Sequence, residues 1–222
     1  MITETVTKER PILFSGPMVR AILDGRKTMT RRIVKPQPDS NINPVCIEDI
    51  EGHPWQWASL ESRAWCPYGS IGDRLWVRET WLPLDSDHYH ERGPRDRLVD
   101  NRKYPLRNGA AYAAETSGDS DSERCRIELG YKWKPSIHMP RWASRITLEI
   151  TDARVERLHD ISRDDAIAEG IFLNDNDWLE AGNGLIGQSS PEAAFCDLWA
   201  NINGTESWLA NPWVWVVEFK RA

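Results

Sequence analysis

"RPILFSGPMVRAILDGRKTMTRRIV", residues 10–34, reads as strand, helix and strand in one short span. "ILF" is a short apolar strand. Ser15 or Gly16 precedes a helix with Pro17 in its first turn, where a missing N–H costs nothing. Val19, Ile22 and Leu23 share one helical face. Gly25 then supplies a left-handed cap, and "MTRRIV" begins a second strand. Between cap and strand stand Arg26, Lys27, Thr30, Arg31 and Arg32. A solvated basic turn has this composition. So does a site that holds an anion, and so does one that activates a hydroxyl.

The pattern continues outward from this unit. Residues 35–66 are rich in Pro, Asn, Asp and Trp with weak periodicity and read as an insertion. "GSIGD" is a turn. In "RLWVRETW", Leu75, Val77 and Glu79 fall on one face of a strand, with Trp76, Arg78 and Thr80 on the other. Residues 82–130 form a second insertion, strongly charged, around one short strand, "AAYAAE". A long alternating strand spans about Arg145 to Leu158. "ISRDDAIAEGI" is a short helix, with Ser162 as N-cap, Asp165 three residues on and Gly170 closing it. A Gly/Asn-rich insertion covers 174–189. "SSPEAAFCDLWANING" is a capped helix with Phe195, Leu198, Trp199 and Ile202 as its apolar stripe. "PWVWVVEFKRA" is a terminal strand. Strands outnumber helices, so the expected class is α+β: one domain, a small, mainly antiparallel β-barrel with short helices packed around it and long loop insertions.

Bulk properties narrow the function. The chain has 222 residues and a net charge of -6, with a pI near 5.5. It is no general basic coat for nucleic acid; any such contact needs a local basic patch. No apolar run reaches membrane-spanning length, and "MITETVTKERP" is not a secretory leader. Four cysteines without CxxC spacing read as reduced thiols of a cytoplasmic protein. Twelve tryptophans are many for this length. Trp serves cores, and it also stacks on bases; Trp55, Trp57, Trp65, Trp76, Trp81, Trp133 and Trp142 are candidate platforms.

The chemistry-bearing candidates follow. Lys27 and Thr30 pass from a helix cap into a strand, where both can face one cleft. A threonine hydroxyl is a nucleophile only when a neighbour removes its proton. Lysine does that only when neutral, which burial or nearby positive charge favours. Arg26, Arg31 and Arg32 supply such charge, or hold phosphate. Glu169 ends the "DDAIAEG" helix, where the helix dipole disfavours a carboxylate. Glu79 points toward the interior and needs a cation, with Arg78, Arg31 and Arg32 as candidates. No metal is expected: His88 and His90 lack a second ligand pair of recognisable spacing. The phosphate-loop, dinucleotide and serine-elbow motifs are absent, so no cofactor is expected.

The order "GRKTMTRR", "GDRLWVRETW", "DISRDDAIAEG" and "WVWVVEFKR" resembles the ASCH domain family, which has a PUA-like β-barrel. The likeness covers about residues 11–34, 69–81, 131–172 and 191–221. In layout the chain is most similar to longer ASCH proteins of phages and prophages, with which it shares "KWKPSIHMPRWASRI". Gly25, Lys27, Thr30 and Arg32 match the GxKxxTxR pattern. Small bacterial ASCH enzymes are amidohydrolases of N4-acetylcytidine. The resemblance therefore implies Thr30 as nucleophile, Lys27 as proton acceptor and Glu169 as their acidic partner, without a metal. Arg26, Arg31, Arg32, Arg78, Glu79, Trp76, Trp142 and Arg145 are the candidate substrate- or nucleic-acid-binding residues. The partner would be a modified nucleoside or single-stranded nucleic acid, with no membrane involved. RNA- or DNA-binding module, modified-base reader and metal-independent ribonuclease stand as alternatives.

Overall fold

The computed structural model describes residues 7–38, 46–47, 56–57, 66–83, 110–116, 132–174, 177–179 and 188–222. The chain is α+β. In order run β1 (Glu9–Leu13), α1 (Gly16–Leu23), β2 (Met29–Ile33), β3 (Cys46–Ile47), β4 (Gln56–Trp57), β5 (Arg74–Arg78), β6 (Trp81–Pro83), β7 (Ala110–Tyr112) and α2 (Ala113–Thr116). Then follow β8 (Thr147–Arg157), α3 (Arg163–Ala168), β9 (Phe172–Asn174), β10 (Asp177–Leu179), α4 (Pro191–Asn203), α5 (Thr205–Leu209) and β11 (Trp213–Arg221). One five-stranded sheet has the order β1-β5-β8-β11-β2.

The expected closed barrel is not formed. Among the described residues β1 and β2 each have one neighbour in this sheet, and β3–β4, β6–β7 and β9–β10 are separate two-stranded ribbons. The ladder thus keeps two open edges, whereas a barrel needs its first and last strands joined. Among the described residues no helix is long and apolar enough to cross a membrane.

The chain divides into two compact units, each made of discontinuous segments. The first comprises Met1–Arg10, Ala21–Leu75 and Leu148–Ala222. Its centre is β11, antiparallel to both β8 and β2. Val214, Trp215, Val216 and Val217 are all buried. A strand with neighbours on both sides and cover on both faces needs such a continuous apolar run. β8 carries a register shift against β11: Glu218 pairs with Asp152, but Phe219 pairs with Ile150. Across this bulge the buried positions change parity, from Leu148 and Ile150 to Ala153. The extra residue turns Asp152, Arg154 and Glu156 onto the polar side of the strand.

Helix α3 starts at Ser162, whose hydroxyl accepts from the Asp165 amide at 3.2 Å. Gly170 ends it at φ +104°, a conformation that suits glycine. In α4, Phe195, Leu198 and Trp199 are buried as expected, but Ile202 is 56% exposed; the apolar stripe stops one turn short of the helix end. The span 174–189 was expected as loop, yet it includes β10, paired with β9.

The second unit comprises Pro11–Arg20 and Trp76–Thr147. Trp81, Ala110, Tyr112, Met139 and Ala143 form its core cluster. The Tyr112 hydroxyl donates to the Ala143 carbonyl at 2.8 Å, and the Ser144 hydroxyl donates to the Val77 carbonyl at 2.8 Å. "AAYAAE" is strand only through Tyr112; Ala113–Thr116 turn into α2. Alanine and glutamate are strong helix formers, so helix takes over once the aromatic has been placed. Most of the expected insertions at 35–66 and 82–130 lie outside the described residues.

Candidate active site

In the first unit the segment after Gly25 is drawn against the end of α3. Gly25 adopts φ +76°. The Arg26 and Lys27 amides donate to the Ala21 carbonyl at 2.9 and 3.0 Å, and the Thr28 amide donates to the Ala168 carbonyl at 2.9 Å. Lys27 thereby enters the interior and is only 2% exposed. Its Nζ donates to Glu169 Oε2 at 2.6 Å and to the Glu169 backbone carbonyl at 2.7 Å. Glu169 is 3% exposed.

This arrangement explains the acid at a helix C-terminus. The last carbonyls of a helix lack partners and carry partial negative charge. An ammonium that binds one of them and the carboxylate together offsets both. Burial pushes the Lys27 pKa below its ordinary value; Glu169 pulls it back up, while Arg32 and then Arg31 add to the downward push.

Thr30 lies on β2 opposite Val217 and is 3% exposed. Among the described residues its hydroxyl makes no hydrogen bond to Lys27 or Glu169. Strand alternation places Thr30 and Arg32 on one face and Met29 and Arg31 on the other. Arg32, on Thr30's face, lies close enough to Lys27 for its charge to act on the lysine.

Arg31 lies inside the fold and not on a solvated basic turn. Its side chain is fully shielded. Nη2 donates to Asp165 Oδ2 at 2.7 Å and to Glu156 Oε2 at 3.2 Å. Arg154 joins the same group through Asp152, Glu156 and Glu218. These carboxylates raise the Arg154 pKa against the effect of its partial burial. Arg26 is half-buried, bound to Asp24 at 2.8 Å, with its guanidinium 4.9 Å from the Phe172 ring centre.

Sequence reasoning passed over Asp165, Glu156 and Arg154 as partners here. Asp165 carried a signal as the third residue after a capping serine, but that pattern speaks only of the cap. Tyr68 was missed as well. Burial pushes its phenol pKa up, and the Arg32 charge pulls it back. No spacing rule links the "CPYGS" turn to β2.

The second unit holds the other expected residues. Glu79 is 1% exposed, as its strand face predicts. Its partner is Arg145, not Arg78, Arg31 or Arg32: Nε and Nη2 of Arg145 donate to the two Glu79 oxygens at 2.9 and 3.0 Å. Arg145 also binds Glu115 and lies 4.0 Å from the Tyr112 ring centre. Arg78 donates Nε to the Met139 carbonyl at 3.0 Å and sits 5.3 Å from the Trp76 ring. Trp142 is 51% exposed and meets Trp81 edge-on at 5.6 Å. Trp81 itself is a core residue and offers no stacking platform, for its ring is needed under β6 and β7. Trp55, Trp65, His88, His90 and Cys125 lie outside the described residues. Cys66 and Cys196 are free thiols.

Compared with family models, with curated proteins and with solved structures, the chain finds no match.

Proposed function

We propose that the chain is an ASCH-like amidohydrolase of PUA-like fold that acts on an N4-acylated cytosine nucleoside or a related modified base. The observation that carries this reading is the shielded Lys27, held on Glu169 at the start of the strand that bears Thr30. Burial and two guanidiniums favour its neutral form, the form that accepts a proton. The Thr30 hydroxyl then attacks the acyl carbonyl and its proton passes to the Lys27 amine. The tetrahedral intermediate expels the cytosine amine, which takes that proton back from Lys27. Water next attacks the Thr30 ester, losing a proton to Lys27; the second tetrahedral intermediate then releases the carboxylic acid and expels the Thr30 oxygen, which takes that proton back from Lys27. In this reading Arg32, on Thr30's face, supplies the positive charge that stabilises the oxyanion.

Incubation of purified protein with N4-acetylcytidine, with cytidine measured by chromatography, tests the reading. Release is expected from the wild type, with Thr30→Ala and Lys27→Ala folded but nearly inert. A wild type that frees no cytidine even at high enzyme concentration removes the proposal.

A second reading, a surface for single-stranded nucleic acid, is favoured by one feature of the second unit. The Trp76 ring has Arg78 at 5.3 Å and Arg141 at 6.0 Å. Residues 132–145 carry four Lys/Arg and no Asp/Glu in an otherwise acidic chain. Aromatic rings beside cations suit stacked bases and phosphates. Retention on oligonucleotides that weakens steeply with salt supports it; indifference at all salt concentrations counts against it.

A further inference from the structure

Lys27 is one end of a chain of charges. Glu169 Oε2 takes the lysine, while Glu169 Oε1 accepts no hydrogen bond among the described residues and faces Arg31 Nη1 at 3.7 Å. Arg31 is in turn held by Asp165 and Glu156. Arg154 faces Asp165 at 3.7 Å and continues to Asp152 and Glu218, which are partly exposed. The titratable and charged groups around Arg31 thus come from α3 and its C-cap (Asp165 and Glu169), from β8 (Glu156 and Arg154), from its own strand (Arg32) and from the turn before that strand (Lys27). α4 contributes the Phe195 ring, 6.0 Å away.

A buried carboxylate is strongly disfavoured once its cation is lost. In an isolated pair, deprotonating Lys27 would strand Glu169. Here a second cation stands by, within charge–charge range yet beyond hydrogen-bond length. An arginine keeps its charge at every accessible pH. We propose that Arg31 is a positioning residue that takes over the charge of Glu169 whenever Lys27 gives up its proton, so that the lysine can exist as a free amine inside the fold. The leaving proton goes to solvent at rest. The use of that amine in acyl transfer rests on the function proposed above; the hand-over of charge does not. The depressed Lys27 pKa agrees with such an arrangement.

The test is an NMR pH titration of protein labelled with ¹³C in its lysine side chains and glutamate carboxyls, without substrate. Lys27→Met and Glu169→Gln identify the two signals. In the wild type Lys27 is expected to titrate below 10.5, and the Glu169 carboxyl signal reports the change of its partner at the same midpoint. In Arg31→Met the Lys27 midpoint rises by about one pH unit or more, because a repelling charge is gone and Glu169 has no other partner. Arg31→Lys, which keeps a cation, holds the midpoint closer to wild type. A folded Arg31→Met with an unmoved midpoint overturns the proposal and leaves Arg31 as a tie between α3 and β8. If Arg31→Met does not fold, the wild-type Arg31 guanidinium decides in protein labelled with ¹⁵N at arginine: guanidinium signals that do not move at the Lys27 midpoint overturn the proposal equally. A protein that deacylates nothing can still pass this test, and an active one can fail it.

Discussion

Two buried carboxylates, one in each unit, are treated in opposite ways. Glu79 has both oxygens bound by one guanidinium, which also packs on Tyr112. Glu169 has one oxygen bound by an ammonium and the other, among the described residues, without a hydrogen bond. The first pair is fully satisfied, and its cation cannot lose a proton. The second is incompletely satisfied, and its cation can. A saturated arginine pair fixes structure. An unsaturated lysine pair keeps a cation that can give up its proton, which is what proton transfer requires. The contrast explains why similar residues at similar burial carry a structural reading in one place and a chemical one in the other.

The largest expected effect comes from giving the first unit the second unit's cation. Lys27→Arg keeps the positive charge but removes the proton that can be lost. Turnover of N4-acetylcytidine should fall by about 10²–10⁴-fold, the ordinary worth of a general base. Retained turnover would erase the distinction between the two pairs. Next, Arg145→Met strands Glu79 in the second unit's interior. A loss of about 3–5 kcal/mol is expected in urea unfolding; a loss below about 1 kcal/mol would place the pair among ordinary surface bridges.

The pH dependence sharpens the comparison further. Turnover should climb as Lys27 loses its proton, with a midpoint below 10.5. The sign for stability follows from the same shift. Between the depressed folded value and the unfolded one, the unfolded chain binds more protons at Lys27, so this group's contribution to stability rises with pH. Below the folded value its burial cost is present in full. Thermal melts of wild type against Lys27→Met across that range measure the difference, and a difference that shrinks with falling pH contradicts it. The smallest effect belongs to Ser162→Ala, which removes the α3 cap. It should cost about 1 kcal/mol and lower turnover by loosening Glu169, with Ser162→Asn restoring both.

Much of the local architecture was legible in the chain. Gly25 and Gly170 sit where helices end and positive φ is needed, and Ser162 caps the helix it precedes. "PWVWVVEFKRA" was legible as a terminal strand, and alternation in β5 turned Glu79 inward. Other features were hidden. Simple alternation along β8 would have put Arg154 and Glu156 on the face of Leu148 and Ile150; the bulge opposite Glu218 and Phe219 reverses that. Arg31 looked like a surface cation because nothing nearby in sequence supplies Asp165 and Glu156. The β-barrel expectation failed at closure, which depends on how two distant edges meet.

The sequence by itself determined the elements, their caps, the inward turn of Glu79 and the presence of a lysine, a threonine and an acid of suitable chemistry. These follow from backbone sterics and side-chain periodicity, which act over a few neighbouring residues. Only the tertiary structure decided which charges meet: Lys27 with Glu169 across 142 positions, and Arg145 with Glu79 across 66. An ion pair is chosen by the low-dielectric surroundings that packing creates, and those surroundings do not exist until the chain has folded.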